Sequence, residues 1–418
     1  MSEEFSFMNE KIKDKPFYKK KWVQIAAGTL VLAVVFGLVA GASFAKMNEW
    51  IEWKKEQEEM KEIEIPKDSG EEADKAEETE TSRPEESEPV VVEAELTVKE
   101  YGKLYEEFQT IASEASRALV SVTAVSNDVD WFNEAYENRG QSEGMIIGDN
   151  GVELLILTGY SDIRHCDGIH ITFCDESFAT AVLKNYDVTT DLAVLSVNLS
   201  DISAETQKAV SKAELGNSML LEPGDPVLAI GRADGSEHSL KIGELTSTKN
   251  KQSVVDAEYT ILMTDMIRNE GADGVLINLN GQIVGIMQER YLAANMESVV
   301  TAYGISDLKS LLERLSNNQD VAYLGIKGVP VTKEAKDSGV PEGIYVTEVL
   351  MDSPAMKGGI QTGDIIQALN GQNVKEMSQL SAVLTKLSDQ QNISLEGRRL
   401  TKDGYKKINY QTFLSVLE

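Results

Sequence analysis

The chain has 418 residues, enough for two or three domains, and a formal net charge of −29. That charge excludes a nucleic-acid partner, which would need a basic surface. Two cysteines cannot build a disulfide framework, and their spacing matches no zinc pattern, so no metal or cofactor is implied.

In chain order, the first feature is Trp22–Ala45, 24 residues without a charge. As a helix it would span roughly 36 Å, enough to cross a bilayer with some tilt. Lys11, Lys13, Lys15, Lys19, Lys20 and Lys21 precede it, which places the N-terminus in the cytoplasm and the remainder outside. The alternative is a cleaved signal peptide ending at Ala40-Gly41-Ala42; the length of the apolar run favours the anchor. Residues 46–65 are dense in Glu and Lys and read as helical at their start. Between Lys67 and Glu95 twelve acidic residues face three basic ones. Such a stretch repels itself and reads as an extended spacer rather than a cation site.

Val98–Leu119 has helical apolar spacing through Tyr101, Leu104, Tyr105, Phe108, Ile111, Ala112 and Ala115. Short apolar runs follow at residues 119–125, 144–147, 153–157, 168–173, 178–183, 192–197, 226–230, 240–246, 259–263, 275–279, 282–288 and 299–302. Many short strands without long helices between them predict an all-β barrel or sandwich. Asn280-Gly281 is expected to turn the hairpin joining residues 275–279 and 282–288. Ser306–Asn318 is a short amphipathic connector, followed by Asp352-Ser353-Pro354-Ala355 as a capped helix start and Asn370-Gly371 as a hairpin turn.

Ile267–Ile286, GMIIG with ELLILT, YDVTTDLAVLSV and LGNSMLLEPGDPVLAIGRADG, taken together, resemble the HtrA/Deg family of serine proteases. The loop and hairpin Ile267–Ile286 align without a gap on the family's nucleophile segment, N-P-G-N-S-G-G-P-L-x-N-x-x-G-x-x-x-G-I. Upstream, GMIIG and ELLILT resemble the approach to the catalytic His. YDVTTDLAVLSV resembles the segment carrying the catalytic Asp, and LGNSMLLEPGDPVLAIGRADG a later family block. The resemblance covers residues 119–303 and implies a mainly β, trypsin-like double barrel. Residues 320–418 resemble a PDZ domain of the bacterial HtrA type, an α+β module. The implied organisation is a cytoplasmic tail at 1–21, a transmembrane helix at 22–45 and a charged linker at 46–97. A trypsin-like domain at 98–305, a connecting helix at 306–319 and a PDZ domain at 320–418 complete it.

The chemistry implied by the resemblance needs a Ser nucleophile, a His base and an Asp that orients the His. Asp191 stands at the Asp position; on its residues alone it reads as a strand-edge turn carboxylate. Ser161 occupies the His position, and Ala272 the nucleophile position. A four-residue slip could bring His165 back, but it would face a methyl group. Cys166 beside His165 is the other conceivable nucleophile, yet neighbours in sequence do not point both side chains at one substrate. His165, His170 and His238 therefore read as structural or surface residues. Glu270 and Asp273 replace two glycines of the loop that would carry the oxyanion hole, opposing a developing negative charge and restricting φ. Cys166 and Cys174 are open to either a disulfide or two small core residues.

In the C-terminal module, N–H groups of Tyr323-Leu324-Gly325-Ile326 are expected to hold a terminal carboxylate beside a strand edge open to β-augmentation. Leu324, Ile326, Leu380 and Leu384 would line the pocket for the last side chain, or serve as ordinary core. The expected protein is thus membrane-anchored and extracytoplasmic, catalytically inactive, and a binder of unfolded or C-terminal peptides in envelope quality control. Assembly as a homotrimer or with an active homologue is implied by the resemblance. The alternative is an active endopeptidase with rearranged catalytic groups.

Overall fold

A computed structural model describes residues 47, 60–68, 97–129, 135–287 and 298–417. The apolar run at 22–45 and most of the acidic spacer lie outside the described residues. Among the described residues no helix is long and apolar enough to cross a membrane.

Helix α1 (Val98–Ser116) opens with a capping box. The Thr97 hydroxyl accepts from the Glu100 N–H, and Glu100 in turn accepts from the Thr97 N–H. Strands β1 (Leu119–Val129), β2 (Ala135–Asp149) and β3 (Glu153–Gly159) follow. A one-turn helix α2 (Tyr160–Ile163) leads to β4 (Gly168–Thr172), β5 (Phe178–Asp187) and β6 (Leu192–Asn198). These close a barrel in the order β1-β2-β3-β6-β5-β4. After helix α3 (Ala204–Ala209) come β7 (Pro226–Arg232), β8 (Ser239–Val254), β9 (Ala257–Ile267), β10 (Asp273–Ile277), β11 (Ile283–Met287) and β12 (Val299–Gly304). They close a second barrel, β10-β11-β12-β9-β8-β7.

The strands at the junction are apolar throughout because both their faces are covered. In β3, Leu154 and Ile156 fill the first barrel while Leu155 and Leu157 face the core between the barrels. In β7, Val227 and Ala229 fill the second barrel while Leu228 and Ile230 face that shared core. Phe108 of α1 and Leu308, Leu311, Leu312 and Leu315 of helix α4 (Ile305–Ser316) complete it.

The C-terminal module begins with β13 (Ala322–Tyr323) and β14 (Ile326–Pro330). Helix α5 (Lys333–Asp337), β15 (Ile344–Val349), helix α6 (Pro354–Lys357), β16 (Ile365–Leu369) and β17 (Gln372–Asn373) come next. Helix α7 (Met377–Leu384), β18 (Asn392–Thr401), β19 (Gly404–Phe413) and β20 (Ser415–Val416) end the chain. The main sheet runs β14-β15-β16-β18-β19, which leaves β14 at an edge. Ser353 caps α6 with Pro354 in its first turn, as expected. Asn370 and Gly371 both have positive φ, as a two-residue hairpin turn requires.

Two expectations change, and one open alternative is settled. The hairpin at Asn280-Gly281 is longer than a two-residue turn: only Gly281 of that pair has positive φ, and the Asn278 side chain accepts from Asn280 and Gln282 N–H. Residues 61–68 are neither helix nor free spacer. Ile65 is buried in the shared core, Ile63 pairs through its backbone with the Asn317 side chain, and Asp68 bridges to buried Lys309 at 2.8 Å. The acidic segment is thus pinned to the folded unit at its start. Cys166 and Cys174 are unpaired; the Cys166 thiol donates to the Ile163 carbonyl.

Candidate functional site

Between the barrels lies a cleft of about 350 Å³, lined among others by Ser161, Asp191, Ala272, Glu143, Arg232 and Asp273. The three positions expected from the sequence therefore converge. His165 is not among the lining residues, so the slipped-base arrangement is not what the fold builds. His165, His170 and His238 are all exposed.

Asp191 sits in the turn before β6 with φ of +62°, a left-handed conformation that Asp tolerates better than bulkier residues. Its carbonyl accepts from Tyr160 N–H at 2.9 Å. Its carboxylate accepts from Ser161 twice, from the N–H at 3.0 Å and from the hydroxyl at 2.6 Å. The partner the fold gives the Asp191 carboxylate is thus a hydroxyl, not an imidazole. A serine hydroxyl does not serve as a base near neutral pH.

Ala272 is 7 % exposed and packs in the core of the second barrel. Its N–H donates to the Asn269 carbonyl at 3.2 Å. A donor that would face an oxyanion is thereby consumed inside the loop. The loop itself depends on glycine: Gly271 has φ of +72° and Gly274 of +129°. A Cβ at Gly274 would lie 2.2 Å from the Ile230 carbonyl oxygen.

Asp273 does something no local pattern signals. Its carboxylate accepts from Gly274 N–H and from Glu143 N–H, both at 2.7 Å, and so ties β10 of one barrel to β2 of the other. Burial pushes the Asp273 carboxyl upward. Burial first, and then the Asp273 charge, push Glu143 up to about 8, against the pull of Arg232. The cleft thus holds a carboxyl pair that ionises reluctantly, with Glu143 neutral near pH 7.

The loop at 323–326 lies in the C-terminal module, facing the second barrel. Gly325 has φ of +93°, and a Cβ there would come 2.3 Å from the Ser353 Cβ. Leu324 and Ile326 flank this kink and share one side: both are fully buried in one core with Leu380, and Leu384 joins them at 2 % exposure. Tyr323 and Leu384 also line a second cavity of about 450 Å³ between this module and the second barrel.

The N–H groups of Leu324, Gly325 and Ile326 converge on one carboxylate. That carboxylate belongs to Asp256, at the tip of the β8–β9 hairpin. Sequence reading did not single out Asp256, because nothing near it marks a partner 68 residues away.

Comparisons with known proteins agree with this architecture. A trypsin-like peptidase domain model matches residues 143–286 and a PDZ domain model matches residues 315–396. A probable periplasmic serine endoprotease, DegP-like, of Pseudomonas savastanoi pv. phaseolicola is 32 % identical over 267 residues, covering 62 % of this chain and 53 % of the relative. The serine protease Do-like HtrB of Bacillus subtilis is 30 % identical over 262 residues, covering 58 % of this chain and 56 % of the relative. The chain matches about half the length of these curated relatives. The structure of the HtrA-type protease AlgW with decapeptide aligns with a TM-score of 0.55 at 22 % identity, over 74 % of this chain and 99 % of that one, which shows a shared fold. With a trypsin-like double barrel joined to a PDZ domain, and with these relatives, the chain belongs to the HtrA type of trypsin-like peptidase family.

Proposed function

We propose that this chain is a membrane-anchored, extracytoplasmic HtrA-type protein whose barrels do not cleave peptides and whose PDZ domain captures C-terminal peptide ends. The observation that carries the first half is the cleft: a methyl group at Ala272, a hydroxyl on Asp191 at Ser161, and an Ala272 N–H turned inward. In well-studied serine proteases loss of the nucleophile alone removes about six orders of magnitude, and the remainder comes from the oxyanion hole and binding. Here the donor at Ala272 is consumed as well. The second half is supported by the three converging N–H groups at 324–326.

Location outside the cytoplasm is supported by the periplasmic description of the Pseudomonas relative and by the lysines before Trp22. Fractionation should find the intact chain in membranes; a soluble form beginning at Ser43 would replace the anchor by a cleaved signal. A role in envelope quality control then runs through scaffolding, alone or in an assembly with an active homologue.

The test of inactivity is incubation of the purified full chain with unfolded casein. No turnover above buffer is expected. Turnover that survives further purification and disappears in Asp191→Ala would refute the reading. A second reading, an endopeptidase with rearranged groups, would have to use Glu143 and Asp273, the carboxyl pair in the cleft with acid–base capacity. Turnover abolished by Glu143→Gln would favour it.

A further inference from the structure

The carboxylate loop of the PDZ domain is already filled from within the chain. Asp256 Oδ2 accepts from Leu324 N–H at 2.7 Å and Gly325 N–H at 2.8 Å. Its Oδ1 accepts from Gly325 N–H at 3.0 Å and Ile326 N–H at 2.9 Å. Three of the four N–H groups expected to hold an incoming carboxylate, those of Leu324, Gly325 and Ile326, are therefore engaged.

The rest of the hairpin tip behaves as a short bound strand. The Asp256 N–H donates to the Ile326 carbonyl at 2.8 Å, and the Ser253 hydroxyl donates to the Gly328 carbonyl at 3.0 Å. Both acceptors belong to β14, the edge strand that an added peptide would pair with. On the other side the tip meets α7: Val255, Asp256 and Ala257 line one cavity with Ser381, Leu384 and Thr385. Asp256 is itself 8 % exposed, with φ of +58°. A carboxylate on three N–H groups, a backbone bond to the edge strand and a seat beside the helix together reproduce the way a free C-terminus is held.

We propose that the β8–β9 hairpin tip is a tethered ligand of the PDZ loop, and that a peptide with a free C-terminal carboxylate enters only by displacing Asp256. This rests on the reading of the loop as a carboxylate site. The peptide and the hairpin compete for the same donors, and the hairpin acts intramolecularly, at a high effective concentration. The affinity seen by the peptide is scaled down by the fraction of chains with the loop open. Binding also unfastens the PDZ domain from the second barrel, so occupancy of the groove becomes a change at the barrel surface.

The experiment titrates a labelled decapeptide ending in Val-COOH, and its C-terminally amidated twin, against the full chain. Wild type is compared with Asp256→Asn and Asp256→Gly, both of which tolerate positive φ. The free-acid peptide should bind each variant at least about tenfold more tightly than wild type, the change expected if fewer than about one loop in ten is open. The amidated twin should gain nothing. Equal free-acid affinity for wild type and variants, with the amidated twin weaker throughout, would overturn the tether and leave peptide capture standing. No preference for the free acid in any form would overturn both. A readout independent of the variants is hydrogen exchange on the wild-type chain. Saturating free-acid peptide should speed exchange at residues 253–257, and unchanged protection there with peptide bound would overturn the proposal.

Discussion

Glu143 makes the electrostatics of the interbarrel cleft measurable. Its carboxyl ordinarily ionises near 4.5, and in the fold it is pushed up to about 8 by burial and by the Asp273 charge. Between these values the folded chain keeps a proton that the unfolded chain has released. Stability must then fall as pH rises through that window and level off above pH 8. The limiting slope is about 1.4 kcal/mol per pH unit, so roughly 2–4 kcal/mol should be lost between pH 5 and 8. Asp273, also raised by burial, adds a loss of the same sign. Glu143→Gln keeps the shape and removes the titration. Urea unfolding of the full chain, followed by circular dichroism at pH 5.5, 7 and 8.5, reads the barrel transition. Wild type should lose midpoint steadily while Glu143→Gln stays flatter and is the more stable of the two at pH 8.5. Parallel pH profiles for the two proteins would refute the assignment of Glu143 as a buried, reluctant acid.

Ala272→Ser alone should not restore casein cleavage, because Ser161 donates to Asp191 and supplies no base; cleavage by that single variant would reveal a base elsewhere in the cleft. Gly325→Ala should destabilise the PDZ module by about 2 kcal/mol, since it forces a left-handed Ala and a Cβ onto Ser353, and thermal unfolding will read the shift. Asp364 is 1 % exposed and accepts from Arg399 Nε at 2.6 Å and Nη2 at 2.7 Å, and from the Tyr410 hydroxyl at 2.9 Å. Asp364→Ala should therefore cost about 3 kcal/mol in chemical unfolding of that module, and much less would mean water replaces the carboxylate. Leu380 is fully buried in the PDZ core, so Leu380→Asp should unfold the module, seen as loss of its cooperative transition, and is unsuited to testing groove binding.

Much of the fold was legible in the residues themselves. Strands such as Leu192–Asn198 and Pro226–Arg232 are short apolar runs bounded by turns, and local pattern suffices to place them. The family blocks then ordered those strands into two barrels and a PDZ module. They also marked Ser161, Asp191 and Ala272 as one site, which the fold gathers around one cleft. Other features depended on residues distant in sequence. The buried segment at Ile63 and Ile65 looked like part of a charged spacer, because its partners, Asn317 and the shared core, come far later in the chain. Asp273 looked like an obstacle to an oxyanion, whereas its carboxylate bridges the barrels through Glu143 N–H, 130 residues away. Composition and periodicity report what each residue prefers locally, so they determined the elements, while the family resemblance supplied the module order and the alanine at the expected nucleophile position. Which carboxylate fills the loop at 324–326 depended on how the second barrel and the PDZ domain pack, and only the tertiary structure decided it.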